Sequence, residues 1–166
     1  PAGHVLGSAQ VRLEHDDGRV WVVTGDYKRD PDPTCAPFEV ISCDTLITEA
    51  TFALPCYRWP PVERVGEQIW QWWAAHPDRP CILFTYALGK AQRVLAALTA
   101  HTDRPVHVNG AMVAMTEIYR QAGVQMRPRS TYTRWARAAD LTCLALSGGS
   151  LRVPDTLQSG RLRPCP

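Results

Sequence analysis

The chain has 166 residues, 45% of them hydrophobic and 20% charged, with a formal net charge of +2. That length carries one domain with a real core or parts of two, and the composition is that of a globular protein rather than a disordered one. A charge so near neutrality does not by itself mark a nucleic-acid binder, although arginines gather locally at Arg127, Arg129, Arg134 and Arg137. No apolar run approaches the ~20 residues of a membrane helix, and no signal-peptide pattern is read. The six cysteines, Cys35, Cys43, Cys56, Cys81, Cys143 and Cys165, form no Cys-x-x-Cys pair. In a chain that reads as an intracellular, cytoplasmic α/β protein they are expected as free, mostly buried thiols rather than disulfides.

In chain order, residues 10–14 alternate apolar and polar, which predicts a half-buried strand. Asp16-Asp17-Gly18 is a turn signal, and the apolar, mostly β-branched residues 20–24 return as the second, more buried strand of a hairpin. That run stops at Gly25, and Asp26 stands immediately after it. Asp30-Pro31-Asp32-Pro33-Thr34 cannot be regular structure. Residues 43–48 read as a third strand that ends at Glu49. Phe52-Ala53-Leu54-Pro55 and Trp59-Pro60-Pro61 break the pattern again, and a domain boundary is expected near residue 60.

The period then changes. Val62, Val65, Ile69, Trp72 and Trp73 fall at helical spacing behind Pro61, and His76-Pro77-Asp78 ends that helix. Residues 81–86 read as a buried strand, and Ala87-Leu88-Gly89-Lys90 as a turn into a helix carrying Val94, Leu95 and Leu98. Residues 106–108 read as a strand and Asn109-Gly110 as a turn. A helix lined by Met112, Met115, Ile118 and Tyr119 follows, with Gly123 as its stop. Helices alternating with strands imply parallel strands joined by crossover helices. Beyond residue 127 the signal fades to a short helix at 132–138, a strand at 141–146 and an irregular tail.

Three segments thus place a His, an Asp and a Glu at their ends: His4, Asp26 and Glu49. Imidazole and carboxylate suit a divalent metal, and two metals ~3.5–4 Å apart stabilise in-line attack on phosphorus. Against this, a lone His is a common turn residue, Asp26 suits a turn or a helix cap, and Glu49 alone reads as solvated. His4 and Asp26 are too few donors for a complete site. Lys90 after Gly89 at a helix start suits a phosphate, or else marks a tight strand-to-helix turn without the glycines of a P-loop. Trp70, Trp72 and Trp73 suit base stacking or, as the better reading, a helix face packed on a sheet.

The ordered segments Gly3-His4-Val5-Leu6-Gly7-Ser8-Ala9, Thr24-Gly25-Asp26-Tyr27-Lys28-Arg29, Thr48-Glu49-Ala50-Thr51-Phe52 and Tyr86-Ala87-Leu88-Gly89-Lys90-Ala91-Gln92 resemble metallo-β-lactamase-fold nucleases with a β-CASP domain. The likeness is nearest the bacterial DNA-ligase-associated exonuclease branch, often labelled mRNA 3′-end processing factor-like, and covers roughly residues 1–138. It implies an α/β architecture: a partial metallo-β-lactamase αββα fold over residues 1–60, a Rossmann-like β-CASP segment over 61–138, and a divergent tail over 139–166. It also implies roles. His4 matches a zinc ligand, Asp26 the carboxylate that bridges two zinc ions, and Glu49 an acidic residue that supports an active-site histidine, so Asp26 and Glu49 are the expected catalytic residues. A substrate-phosphate role for Lys90 is our own expectation within its motif.

The family's His-x-His-x-Asp-His motif would precede residue 1, and its later histidine motifs would follow residue 140, where this chain has no His beyond His107. The chain therefore reads as a fragment, and the tail as the product of a frameshift or a gene end. The intact protein is expected to be a zinc-dependent nuclease, a DNA exonuclease of DNA repair with an association to an ATP-dependent DNA ligase. The 166-residue chain alone is expected to bind metal weakly and not to cut. An RNA-processing nuclease of the same fold, a small-molecule metallo-hydrolase and a non-catalytic nucleic-acid or protein-binding module are the alternatives.

Overall fold

A computed structural model of the chain describes residues 1–126, 129–130 and 144–147. The first half builds a three-stranded sheet from β1 (Val11–Glu14), β2 (Val20–Val23) and β3 (Thr45–Ile47), in the order β1-β2-β3. β1 and β2 form the expected hairpin. His15 N–H donates to the Arg19 carbonyl at 2.9 Å, and Gly18 supplies the φ of 86° that the turn needs. β3 is shorter than predicted and pairs with β2 in parallel, with Trp21 opposite Thr45 and Val23 opposite Ile47. Parallel pairing brings the C-terminal ends of β2 and β3 to one edge of the sheet, so the loops that begin at Thr24 and Thr48 open together. Thr24 locks that edge. It is buried, its N–H donates to the Ile47 carbonyl at 3.0 Å, and its hydroxyl donates to Thr48 Oγ1 at 3.0 Å.

The alternation in β1 is real, but its apolar side faces outward. Register sets Val11 opposite Val23, Leu13 opposite Trp21, and Val23 opposite Ile47, so these residues share one face. Val11, Leu13, Trp21 and Ile47 on that face are 44–54% exposed. Val22, on the opposite face, is fully buried. The expectation of a half-buried β1 is therefore corrected, because no described residue covers its apolar side.

The second half is a four-stranded sheet of β4 (Cys81–Phe84), β5 (Val106–Val108), β6 (Arg129–Ser130) and β7 (Leu144–Ser147). Its order is β4-β7-β5-β6, and every pair is parallel. Helices α1 (Val62–Ala74), α2 (Lys90–Leu98) and α3 (Gly110–Gln121) complete the mixed α/β structure of the described residues. The crossover pattern was legible in the alternation of helical and strand periods, but the insertion of β7 between β4 and β5 was not. The core joins Ile69 and Trp73 of α1, Leu95 and Leu98 of α2, Met112 of α3, and Cys81, Val106 and Leu146 of the sheet. Trp73 is 1% exposed, and Trp70 and Trp72 pack against the same core. The tryptophan cluster is thus helix packing rather than a stacking platform.

Asn109-Gly110 is not a free turn. Asn109 caps α3, its Oδ1 accepting the Ala111 N–H at 3.0 Å, and Gly110 is the first helical residue. Gly123, with φ 88°, ends that helix as expected. Among the cysteines, Cys81 lies in the core, Cys35 and Cys43 are half-buried, and Cys56 is exposed, which departs from the expectation of mostly buried thiols. Cys143, Cys165, the helix predicted at 132–138 and the tail beyond residue 147 lie outside the described residues. Among the described residues no helix is long and apolar enough to cross a membrane.

Candidate functional site

His4 sits in a tight loop closed on itself. Ala2 N–H donates to the Ser8 carbonyl at 3.0 Å, and the N–H groups of His4 and Val5 both donate to Ser8 Oγ, at 3.1 and 3.2 Å. Gly3 makes this possible. Its φ is 70°, and a Cβ there would fall 2.3 Å from the Lys28 carbonyl oxygen. Lys28 N–H in turn donates to the Ala2 carbonyl at 3.0 Å. The His4 loop is therefore laced to the segment that follows β2, the one that carries Asp26.

The result is a His–Asp pair at the open edge of the first sheet. His4 Nε2 stands 3.7 Å from Asp26 Oδ2, and both side chains are partly solvent-exposed. That separation is too long for a hydrogen bond. It is close to what one metal ion imposes on two ligands, since tetrahedral bonds of ~2.1 Å set neighbouring donors roughly 3.4 Å apart. Glu49 opens from the adjacent end of β3. Its Oε2 accepts the Thr51 N–H at 2.8 Å. Those Thr51 hydrogen bonds, helped by the nearby His4 imidazole, hold its carboxyl below the ordinary carboxylate range.

Zinc takes at least three protein ligands. Among the described residues no group of three His, Cys, Asp or Glu side chains is placed to hold an ion. His4 and Asp26 thus fit one edge of a metal site, and the described residues do not complete its donor set. Glu49 lies beside the pair rather than within it.

Lys90 is the first residue of α2, exposed, with its ammonium 4.9 Å from the centre of the Tyr86 ring. The turn that presents it is fixed by Gln92, which is fully buried. Gln92 Oε1 accepts the Gly89 N–H at 2.8 Å, while its Nε2 donates to the Ala87 carbonyl at 3.0 Å and to Thr116 Oγ1 at 3.2 Å. Gly89, with φ 80°, packs so tightly that a Cβ would lie 2.5 Å from Val5 Cγ1. The strand-to-helix turn of the second half is therefore seated on the His4 loop of the first.

Hydrogen bonds cross the same boundary. Leu6 N–H donates to the Tyr119 phenol oxygen at 3.0 Å, and burial pushes the Tyr119 phenol above its usual range. Arg93 Nη2 donates to the His4 carbonyl at 3.2 Å. Arg93 Nε also forms an ion pair with Asp32 Oδ2, without the alignment of a hydrogen bond. The Asp32 side chain is 1% exposed. Its Oδ1 accepts from Thr34 N–H at 3.0 Å and from Thr34 Oγ1 at 2.6 Å, and Lys28 Nζ lies 3.4 Å from its Oδ2. Burial pushes the Asp32 carboxyl up, but the Thr34 bonds, Arg93 and Lys28 outweigh it and hold it below its ordinary value.

Sequence reasoning placed Asp32 in an irregular segment and Tyr119 on a helix face, but gave neither of them, nor Arg93, a part in the site. The Asp32-Pro33-Thr34 order carries a signal, since Asp two residues before Thr forms such a side-chain turn. Arg93 and Tyr119 carry none, because their partners are distant in the chain.

No protein-family model matches the chain. The chain is 33% identical over 130 residues to a protein of Opitutus terrae named "Probable DNA ligase"; the match covers 77% of this chain and 13% of that protein. It is 28% identical over 134 residues to an "RNase J-like protein" of Methanocaldococcus jannaschii, covering 71% of this chain and 30% of that protein. The chain therefore spans less than a third of the length of the curated relatives it matches.

Proposed function

We propose that this chain is part of a metal-dependent nuclease of the metallo-β-lactamase fold with a β-CASP domain, and that His4 and Asp26 are two ligands of its metal centre. The observation that carries the reading is the His4–Asp26 pair, 3.7 Å apart at the edge where parallel β2 and β3 end. Two relatives, one named a DNA ligase and one RNase J-like, support a nucleic-acid substrate. When bound, zinc would activate water and polarise the phosphodiester; the remaining ligands would come from outside the described residues. Glu49, at the adjacent end of β3, would support a histidine of the site, and Lys90 offers an ammonium for a backbone phosphate.

Within this reading the substrate is DNA, with work in repair beside a ligase, supported by the ligase-named relative. The RNase J-like relative favours a second reading, RNA processing at the same site. Zinc titration of the chain tests the ligand assignment. Weak binding is expected, reduced at least tenfold in both His4→Ala and Asp26→Ala, with no cleavage of single-stranded DNA or RNA. Equal zinc affinity in all three proteins, or robust cleavage that survives Asp26→Ala, contradicts the reading. Competition between DNA and RNA oligonucleotides of one sequence separates the two substrates, and binding of either without metal dependence favours a non-catalytic module.

A further inference from the structure

We propose that Arg93, clamped by Asp32, is a positioning residue that sets the distance between His4 and Asp26. The proposal rests on the reading of that pair as metal ligands and adds what holds the pair in place. The two donors lie on different segments, and neither side chain is buried enough to be fixed by packing. Their geometry must come from the backbone beneath them. Arg93 reaches that backbone directly, through Nη2 to the His4 carbonyl at 3.2 Å.

The adjacent Nε of the same guanidinium is paired with Asp32. Asp32 belongs to the segment that leaves Asp26, and it is immobilised by Thr34 and approached by Lys28 at 3.4 Å. Lys28 stands two residues after Asp26 and binds the Ala2 carbonyl through its own N–H at 3.0 Å. One planar cation thus ties the His4 loop, the Asp26 segment and helix α2 together. A guanidinium carries several N–H groups on one rigid planar frame, so its Nε can face Asp32 while its Nη2 holds the His4 carbonyl, whereas a lysine ammonium is a single point. Arg93→Lys therefore keeps charge opposite Asp32 while giving up the His4 carbonyl.

The test uses the whole chain and needs no metal in its first arm. Nuclear Overhauser effects between the His4 ring and the Asp26 β-protons, and amide exchange of His4, Val5 and Leu6, are compared in the wild type, Arg93→Lys and Arg93→Met. We expect Arg93→Lys to retain the helix amide shifts and melting temperature. Its His4–Asp26 Overhauser effects vanish, and exchange in the loop speeds up at least tenfold. Arg93→Met does the same or more; if it fails to fold, Arg93→Lys decides.

Overhauser effects and exchange unchanged in Arg93→Lys overturn the proposal, as does a uniform loss of structure that moves the helices as much as the loop. The second arm titrates zinc chloride into the same proteins, with at least a tenfold loss of affinity expected in Arg93→Lys. Equal zinc affinity in the wild type and Arg93→Lys overturns the link to the metal. A wild type that binds no zinc, while the His4–Asp26 Overhauser effects still vanish in Arg93→Lys, removes the metal reading and leaves the positioning result standing.

Discussion

Gly3 and Asp32 show how much of the candidate site depends on residues that are not themselves its candidate ligands. At Gly3 a side chain meets two obstacles, a left-handed backbone and a carbonyl oxygen 2.3 Å from where the Cβ would be. Gly3→Ala is expected to destabilise the chain by about 3 kcal/mol, the sum of backbone strain and overpacking, and urea unfolding measures it. A loss under about 1 kcal/mol, no more than the backbone strain alone, would mean that the loop is not held against Lys28.

Asp32 makes a pH-dependent contribution whose sign is fixed. Its folded carboxyl titrates below its unfolded one. The stabilisation is therefore complete above the unfolded value near ~3.9 and is lost as pH falls through the lower folded value. Urea midpoints measured from about pH 6 downward should fall more steeply below about pH 4 in the wild type than in Asp32→Asn. Parallel curves would contradict the burial and pairing described. Asp32→Ala, which strands Arg93 without its carboxylate, should cost about 3–5 kcal/mol at neutral pH.

Thiol reactivity offers an independent check of the same corner. Burial and the Asp32 carboxylate raise the Cys35 thiol, while Cys56 is exposed. Iodoacetamide followed by mass spectrometry should modify Cys56 well before Cys35; the reverse order would contradict the buried environment of Asp32.

At the scale of elements, the sequence was readable where a period or a punctuation mark carried the information. The hairpin at Gly18, the helices and the Gly123 stop follow from local rules. The Asn109 cap was missed because Asn-Gly signals a turn and a helix start almost equally well. Strand order was not readable, since the pairing of β7 with both β4 and β5 depends on packing across the whole second half. The site divides in the same way. A strand that ends in a carboxylate announces Asp26, whereas the Asp32–Arg93 pair joins residues with no local pattern between them.

The close approach of α1 to α2 also escaped the sequence, and it hangs on Gly66. A Cβ there would lie 2.9 Å from the Ala97 Cβ and 3.1 Å from its carbonyl oxygen. Alanine would favour the helix by about 1 kcal/mol, but the clash costs about 1–3 kcal/mol. Gly66→Ala should therefore lower stability by about 1 kcal/mol in urea unfolding, and a stabilised variant would show that the helices are free to separate.

Over the whole molecule, the second half acts as a seat for the first. Gly89 presses on Val5, Tyr119 receives Leu6, and Arg93 holds His4, so a loop of short strands and turns gains a fixed shape from a sheet with a real core. In the proposed function this shape presents His4 and Asp26 to a metal ion. The most direct test of that reading is a crystal of the chain soaked in zinc, with anomalous diffraction collected on both sides of the zinc edge. An anomalous peak bonded to His4 Nε2 and an Asp26 carboxylate oxygen is expected, each at ~2.0–2.2 Å, with solvent or neighbouring donors in the remaining positions. Zinc bound elsewhere on the chain, with the His4–Asp26 edge left empty, would contradict it.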